Sequence, residues 1–371
     1  MIGGILKYFS HARVSEERLY SNETRFSHQV NFVNKMIKKR PENEYVSESA
    51  NHSMGFVAAA KGLGVSFKEV ERKKFDFYRK RQKIGSLDGM NSSLVTRSAR
   101  RVCKDKSKSY KSIKNSVNAP WQLAYRPSQL EKAFNVAKKK NFDVVVKPSC
   151  GRAGQGVGVG PFGEDGFRNA WQQAVNSLTT DSDCVVMEQR VSGVDVRATV
   201  VGGRLHSAIA RVQAYVIGHD DLSIGDLVHE KNGRRSRNPH LRKYPIDIDS
   251  EMNLCLANQG RSLADVPKGG EVVVLRGAAN IHLGGEAVDV TDELGTAVRR
   301  QAERAAQSVQ GLEVVGVDFV VSNIGEYEEA AVIEMNAGAN FCMSYFPVVG
   351  TPRNPAIAVI ERMIELAEAD H

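Results

Sequence analysis

The sequence predicts a protein of mixed helix and sheet, of the α/β or α+β class. Short apolar runs rich in β-branched residues, which have the length of buried strands, alternate with longer segments that carry helix start and stop signals. A Gly-Gly pair at 202–203 separates two alternating runs, 195–201 and 204–211, and predicts a hairpin. The length of 371 residues is enough for two or three domains or lobes.

The first part of the chain is polar and irregular up to about residue 60, apart from one amphipathic helix predicted at 29–39. A second helix is predicted at 52–63, where glycines end it. Short β segments follow at 65–70 and 73–78, so we expect a small α/β domain at this end of the chain.

The middle of the chain alternates helices with strands. Helices are predicted at 98–115, 128–140 and 164–177, and buried strands at 143–148 and 184–188.

The C-terminal part continues this alternation. Residues 218–245 are polar and Arg-rich and are predicted to be loops around a short helix. Thr291, followed by two acidic residues, predicts the start of a helix that runs to Gln310. A last helix is predicted at 356–369.

Composition restricts the class of protein. Hydrophobic residues make up 42% and charged residues 25%, which is ordinary for a globular protein. No apolar run has the length of a membrane span, and the apolar run at the N-terminus is too short for a signal peptide. The five cysteines are scattered and lack Cys-x-x-Cys spacing, so we expect a reducing cytoplasm and no structural zinc site.

The net charge of +8 hides an asymmetry between the two halves of the chain. Residues 1–150 hold 31 Lys and Arg against 13 Asp and Glu, whereas residues 151–371 hold 20 against 30. A basic half can bind nucleic acid, or it can face a polyphosphate or an acidic substrate. Because no nucleic-acid-binding signature accompanies the charge, nucleic acid is the less favoured partner, and most of these residues are expected to be solvated.

Three oxygen-bearing side chains lie in two predicted buried strands near the C-terminus. Asp318 follows Gly316-Val317, and Glu334 and Asn336 follow Val332-Ile333. The period of two places Glu334 and Asn336 on one face. Carboxylate and amide oxygens suit Mg²⁺, which leaves coordination places for phosphates and water. The alternative is a set of buried polar residues that only hydrogen-bond to one another.

A glycine-rich loop follows the strand 143–148, with five glycines between Gly151 and Gly160. Glycines let successive backbone N–H groups wrap an anion. The loop does not fit the P-loop pattern, and it is predicted to run into a strand rather than a helix, which disfavours a dinucleotide fingerprint. A flap that closes over a triphosphate is the favoured interpretation, and a merely flexible loop is the alternative.

Two lysines are candidate phosphate ligands. Lys147 ends a run of three valines, and an ammonium at the end of a buried strand favours an anionic partner. Lys106 lies in a basic helix where most lysines are expected to be plain surface. After the strand 184–188, the segment Glu188 to Val191 offers backbone groups to an adenine edge, and Asp195 offers a carboxylate to ribose hydroxyls.

The order of these pieces resembles the ATP-grasp superfamily. Within it, Ser192-Gly-Val-Asp-Val-Arg197, Val201-Gly-Gly-Arg204 and Ala210-Arg211-Val-Gln-Ala-Tyr look like the amide ligase part of cyanophycin synthetases and of fused glutathione synthetases. Leu275-Arg276-Gly-Ala-Ala-Asn280 and Asp289-Val-Thr-Asp292 strengthen that resemblance, which covers about residues 90–370. Residues 1–60 match nothing in the family.

The resemblance implies an ATP-grasp fold of two lobes that grip ATP, preceded by a small N-terminal domain. The implied boundaries are an N-terminal domain at 1–100 with a role in substrate selection, a small lobe at 101–190 and a large lobe at 191–371.

The resemblance also implies a role for each candidate residue. The nucleotide ligands would be Lys106, Lys147, Gly151, Gly154, Gly156, Gly158, Glu188, Gln189, Val191 and Asp195. The metal ligands, for Mg²⁺ or alternatively Mn²⁺, would be Asp318, Glu334 and Asn336. The residues facing the γ-phosphate and the acyl phosphate would be Arg211, Arg276 and Asn280.

The implied activity is ATP-dependent formation of an amide bond between a small-molecule or peptide carboxylate and an amino-acid amine, with release of ADP and phosphate. No Ser-His-Asp or Cys-His arrangement suggests a side-chain nucleophile. A carboxylate–thiol ligase, a kinase on the same scaffold, and a nucleotide-binding module without turnover stay open as alternatives. The partners expected are these substrates and no membrane, in a cytoplasmic protein that can form a homodimer.

Overall fold

The computed structural model describes residues 26–46, 50–151, 154–180, 182–324 and 329–369. Mixed helix and sheet confirm the predicted class, with four sheets and a large share of helix in the described residues. None of the described helices combines the length and the apolar character that crossing a bilayer requires. The predictions made for residues 1–25 and for positions 152–153 of the glycine-rich loop lie outside the described residues.

The N-terminal part joins two helices to a small antiparallel sheet. Its helices are α1 (Ser27–Phe32), which continues as one π-helical turn (Val33–Ile37), and α2 (His52–Gly62). The sheet has the order β1-β2-β3-β4, with strands Ser66–Glu71, Lys74–Arg79, Gln82–Asp88 and Asn91–Ser92. Phe77 and Leu87 are buried in one core with α2 and with the C-terminal helix. The two helices and the first two strands were predicted within a few residues.

The helix predicted at 98–115 is two helices, α3 (Arg97–Lys104) and α4 (Lys106–Ile113). Asp105 has extended backbone angles, and its carboxylate accepts hydrogen bonds from the N–H groups of Ser107 and Lys108. An aspartate in this position caps a new helix rather than continuing the old one. The break places Lys106 at the first residue of α4, where its N–H donates to the carbonyl of Ser149.

A four-stranded antiparallel sheet follows, which we call the small sheet. Its strands are β5 (Gln122–Tyr125), β6 (Val144–Pro148), β7 (Gly158–Val159) and β8 (Val185–Gln189), in the order β5-β8-β6-β7. Helices α5 (Leu130–Lys139) and α6 (Glu164–Asn176) pack on one face of it. A separate core fills the space between, with Phe134, Phe167 and Trp171 as its large side chains.

The central element of the rest of the chain is a five-stranded antiparallel sheet, which we call the large sheet. Its order is β13-β10-β9-β14-β15, with strands Glu286–Asp289, Arg204–Val212, Val194–Val201, Val314–Val321 and Ala330–Asn336. The predicted hairpin is confirmed, because β9 and β10 are joined at Gly202 and Gly203, both with positive φ (55° and 75°).

Helices α9 (Thr296–Gln307), α10 (Cys342–Tyr345) and α11 (Ala356–Ala369) belong to the core of the large sheet. The prediction that a helix starts at Thr291 is wrong by five residues. The Thr291 hydroxyl donates to Asp289 and accepts from the N–H of Ala208, so it ties the chain to the large sheet instead of capping a helix.

A third core lies beside the large sheet. It joins helices α7 (Ile224–Arg235) and α8 (Ser250–Ala257) to a two-stranded sheet of β11 (Tyr215–Ile217) and β12 (Val272–Val274). The prediction of loops at 218–245 missed the length of α7, which begins with a reciprocal capping box between Ser223 and Asp226.

Candidate functional site

A row of charged side chains crosses three strands of the large sheet. Arg197 on β9, Asp318 on β14 and Glu334 on β15 are register partners, so they project from the same face. The Nε and Nη2 atoms of Arg197 each donate to a different oxygen of Asp318, both at 2.7 Å. The amide of Asn336 donates to Asp318 at 3.1 Å and to Glu334 at 3.0 Å. The three predicted oxygen ligands therefore lie together.

Two backbone features make room for this row. The β14–β15 register shifts between Asp318 and Phe319, so that Phe319 pairs with Val332. Such a shift re-aims side chains next to a site. Gly316, the partner of Asn336, has no side chain, and a Cβ there would lie 3.3 Å from Cδ of Arg197 and 3.2 Å from Cβ of Ala339. Glycine at 316 therefore leaves the space that the Arg197 side chain occupies.

Arg211 joins a second carboxylate to the row. Its Nη2 lies 2.5 Å from Oδ1 of Asp195 and 3.2 Å from Oδ2 of Asp318. Burial disfavours the charged form of Asp318, but Arg197 and Arg211 outweigh burial and hold the pKa of this carboxyl below its ordinary value. Burial also opposes the charge of Arg211, and Asp195 and Asp318 outweigh it, so the pKa of the guanidinium is raised. The predicted ribose ligand Asp195 is thus the ion-pair partner of Arg211.

Lys106 extends the row towards α4. Its Nζ lies 3.5 Å from Oε2 of Glu334, and its side chain is 13% exposed. Since α4 packs against both β5 and β15, this lysine lies where the small and large sheets approach each other. The exposed Lys108 and Lys111 of the same helix point to other faces of it.

The small sheet carries a second charged cluster on the face away from α5 and α6. Gln122 is the register partner of Glu188, and Lys147 lies two residues beyond the other register partner of Glu188, Val145. The Lys147 ammonium lies 2.5 Å from Oε1 of Glu188, and Nε2 of Gln122 donates to Oε2 of Glu188 at 3.0 Å. Tyr125 and Met187 project to the other face and enter the core under the helices.

The glycine-rich loop connects β6 to β7, and the prediction that it runs into a strand is confirmed. Gly154 and Gly156 have positive φ (76° and 68°), which other residues rarely adopt. A Cβ on Gly156 would lie 2.4 Å from Oγ of Ser177, and one on Gly158 would lie 2.6 Å from Cβ of Ala170. Gly151 precedes the two positions that are not described. The absence of side chains at Gly156 and Gly158 therefore lets the loop pack closely against α6 and its C-cap residue.

The linker between the sheets begins after Gln189 and includes Arg190 and Val191. Arg190 forms an ion pair with Asp143 at 2.5 Å, just before β6. Gly193 lies against β14, and a Cβ there would lie 2.5 Å from the carbonyl oxygen of Val321. The linker is thus fixed to the small sheet at Arg190 and to the large sheet at Gly193.

The structure does not bring Arg276 into these clusters. Its guanidinium is 2% exposed and donates to Glu251, to Asp249 and to the carbonyl of Asp247. Asn280 caps a short 3₁₀ turn, Ile281–Leu283, through its side-chain oxygen. The backbone of Asn280 lies against Gly285, which also abuts the carbonyl of Val212, next to Arg211.

The donor set fits a hard cation. It consists of the carboxylates of Asp318 and Glu334 and the amide of Asn336, and carboxylate and amide oxygens suit Mg²⁺ or Mn²⁺. Asn336 would have to turn its amide to bind an ion through oxygen, because its nitrogen donates to both carboxylates here. The described residues contain no group of three or more His, Cys, Asp or Glu that could hold a metal by itself. Ligands from outside the protein, such as phosphate oxygens, would therefore have to complete the coordination.

Two side chains of these clusters, Arg197 and Gln122, were not predicted from the sequence. Arg197 lies two residues after Asp195, so the period of two could have placed both on one face, but its pairing with Asp318 depends on the strand order. Gln122 lies in β5, a strand of four residues that the sequence analysis did not predict. Nothing in the local sequence marks Gln122.

The chain resembles known proteins over part of their length. No protein-family model matches the chain. The cyanophycin synthetase of Geminocystis herdmanii is 32% identical over 238 residues, which are 63% of this chain and 27% of that protein. The glutathione biosynthesis bifunctional protein GshAB of Clostridium perfringens is 29% identical over 256 residues, 67% of this chain and 32% of that protein. The chain thus spans about a third or less of the length of these relatives.

A solved structure agrees with the sequence relatives. The bifunctional glutathione synthetase from Pasteurella multocida superposes with a TM-score of 0.62 and 23% sequence identity, over 85% of this chain and 43% of that one. This likeness concerns the fold alone. Together with the sequence relatives, it confirms the predicted ATP-grasp fold and the resemblance to cyanophycin and glutathione synthetases.

Proposed function

We propose that the protein is an ATP-dependent carboxylate–amine ligase that releases ADP and phosphate. The γ-phosphoryl group of ATP passes to a carboxylate oxygen of the first substrate, which gives an acyl phosphate and ADP. The amine of the second substrate then attacks the acyl carbon, the C–O bond to phosphate breaks, and the amine loses a proton. The mixed anhydride supplies the leaving group that a carboxylate lacks.

The observation that carries this proposal is the row on the large sheet. Asp318 and Glu334 place carboxylate oxygens beside Arg197 and Arg211, with the amide of Asn336 bridging the two carboxylates. A phosphoryl-transfer site needs both oxygen ligands for a metal ion and positive charge for the phosphate. When bound there, Mg²⁺ would neutralise phosphate charge. No protein nucleophile is required, so positioning and charge stabilisation are the work of the chain.

The small sheet would hold the nucleotide. Lys147 has three ammonium protons and shares one with Glu188, so the other two can donate to phosphate oxygens. Lys106 would reach the phosphates from the opposite side, and the glycine-rich loop from Gly151 to Gly158 would close over them. Backbone groups from Glu188 to Val191 would meet the adenine edge.

Arg211 would face the acyl phosphate and stabilise its negative charge. Its ion pair with Asp195 supports a role for Asp195 in positioning Arg211, and a ribose contact would require that pair to open. Asn280 lies close to the same end of β10 through Gly285. Arg276 would have to leave Asp249 and Glu251 to reach a phosphate, so of the three predicted acyl-phosphate residues it has the least structural support.

The proposal also assigns a role to each part of the chain. Residues 101–190 would form the small lobe and residues 191–371 the large lobe, while residues 1–100 would contribute to the choice of substrate. The boundary near 190 is supported by the linker at Arg190. The substrates would be a small-molecule or peptide carboxylate and an amino-acid amine, in a cytoplasmic enzyme that can form a homodimer.

The test is product formation by the full chain with Mg²⁺ and ATP, offered pools of carboxylic acids and of amino acids separately and together. We expect ADP and phosphate only when both pools are present, and a new amide detectable by mass spectrometry in the same tube. Glu334→Gln should abolish the reaction, whereas Glu365→Gln, on the exposed face of α11, should leave it unchanged.

The other outcomes separate the alternatives. AMP as product would contradict an acyl phosphate. ADP formed with acids alone would indicate a kinase, and ADP formed only with a thiol would indicate a carboxylate–thiol ligase. Nucleotide binding without turnover in any pool would contradict the ligase proposal.

A further inference from the structure

Gln122 holds a buried acceptor that no described residue satisfies. Its Nε2 donates to Glu188, but its Oε1 is shielded from solvent and lies within hydrogen-bond distance of no donor in the described part of the chain. Leaving a buried acceptor without a donor is unfavourable, so such an atom indicates a donor group that arrives from elsewhere.

The orientation of this amide is fixed by chemistry. The Glu188 carboxylate accepts from the Lys147 ammonium through Oε1 and from Gln122 through Oε2. An ionised carboxylate can only accept, so Gln122 must turn its NH₂ group towards it. The Oε1 atom of Gln122 is therefore presented as an acceptor and cannot exchange places with the nitrogen.

The position of Gln122 indicates what the donor is. The side chain lies on the face of the small sheet away from α5 and α6, with Lys147 and Glu188, and the adjacent Trp121 carbonyl accepts the N–H of Gln189, the last residue before the linker. Under the proposed function this is the base end of the nucleotide site, where the linker offers backbone groups. A purine with a 6-amino group has a neutral N–H donor to give, whereas a 6-oxo purine presents an acceptor.

We infer that Gln122 reads the 6-amino group of adenine and makes the site selective for adenine over 6-oxo purine nucleotides. The inference rests on the proposed function and adds a base-selecting residue to it. A 6-oxo base would set two acceptors against each other in a buried place, which a site built to receive a donor rejects strongly. Because Oε1 is shielded in the structure described, binding of the base requires the groups that cover this atom to move aside.

The experiment measures binding of ADP and of inosine diphosphate, which differ at the 6-position of the base, by calorimetry in the presence of Mg²⁺. Neither nucleotide can be turned over, so the readout is affinity alone. We expect the wild-type chain to prefer ADP by about tenfold to a hundredfold. In Gln122→Met, which keeps the volume of the side chain without its acceptor, we expect the preference to shrink by about tenfold.

The control is Gln172→Met, an exposed glutamine on α6, on the other side of the small sheet. It should keep the wild-type preference. A general loosening of the site by Gln122→Met would weaken both nucleotides equally and leave their ratio unchanged, and that result would overturn the inference. Equal wild-type affinities would also overturn it while leaving the nucleotide site in place. Failure to bind either nucleotide would overturn the proposed function itself.

Discussion

Asp318 is the residue on which the large-sheet cluster depends. Two arginines and an amide converge on its carboxylate, and the side chain is 8% exposed. The period of two was enough to predict that Glu334 and Asn336 share a face, and the expectation of two neighbouring buried strands added Asp318 to them. These patterns were not enough to find Arg197, because the order of strands β9 and β14 in the sheet is a tertiary fact that no local pattern records.

Arg197→Lys tests whether the geometry of this contact matters as well as its charge. A lysine ammonium cannot donate to both oxygens of Asp318 in the planar arrangement that Arg197 adopts. We expect ADP formation to fall at least about tenfold, and Mn²⁺ affinity, measured by electron paramagnetic resonance, to fall with it. Arg204→Lys, at the exposed start of β10, is the matched control and should change neither. A fully active Arg197→Lys would mean that Asp318 needs only a nearby positive charge.

His240 makes the stability of the protein depend on pH. Burial, followed by the charges of Lys243, His282 and Arg235, lowers its pKa to about 4. The unfolded chain therefore takes up this proton first, near pH 6.5, and the stability present above that pH is lost as the pH falls towards 4. At pH 5 the loss is about 2 kcal/mol for this one residue.

Urea unfolding at pH 7 and at pH 5 measures this loss. In His240→Gln the difference in unfolding free energy between the two pH values should be smaller by about 2 kcal/mol than in the wild type. His229→Gln, at an exposed position of α7, should keep the wild-type difference. An unchanged difference in His240→Gln would mean that His240 takes up its proton at the same pH in the folded protein as in the unfolded chain.

At the scale of elements, helix α2 depends on one glycine. A Cβ at Gly55 would lie 2.2 Å from the ring of Tyr345, whose hydroxyl donates to the carbonyl of His52. The aromatic ring therefore crosses the helix where the helix has no side chain. This contact joins α2 to α10 across more than 280 residues of sequence.

Gly55→Ala should destabilise the protein although alanine is the better helix former. The gain in helix propensity is about 1 kcal/mol, and displacing the Tyr345 ring from a packed core costs about 1–3 kcal/mol or more. Gly62→Ala, at the end of the same helix with no atom within 4 Å of the new Cβ, should be neutral or stabilising. Thermal unfolding of the two variants measures the difference. Equal melting temperatures would contradict the packing argument.

Elements with a strong local signal were predictable, and those set by distant contacts were not. The β9–β10 hairpin follows from its Gly-Gly turn, and α5, α6 and α11 follow from their helical period. Strands of three or four residues, such as β12, are too short to have a pattern. Thr291 had the residue type of a helix cap, but its hydroxyl bonds to the large sheet.

At the scale of the whole molecule, the small sheet has its own core. None of the buried side chains packed between this sheet and helices α5 and α6 belongs to the core that joins the N-terminal part to the large sheet. Both tryptophans of the chain, Trp121 and Trp171, belong to the core of the small sheet. Tryptophan fluorescence therefore reports on the small sheet alone.

We expect urea unfolding to have two midpoints. The fluorescence transition should come at a lower urea concentration than the transition seen by far-ultraviolet circular dichroism, because the small core buries less apolar surface than the large one. Saturating ADP should raise the fluorescence midpoint and narrow the gap. Trp121→Phe, which leaves only Trp171, should give the same midpoint. Coincident transitions would show that the two cores unfold as one.

The separation of the cores also affects how the protein can evolve. A substitution that disturbs the packing around Trp171 leaves the side chains around Phe319 and Val288 in their places, since the two sets belong to different cores. Under the proposed function, mutations that change the choice of nucleotide could therefore accumulate between β5 and β8 without disturbing the core that supports Asp318. Selection could then act on nucleotide choice and on phosphoryl transfer separately.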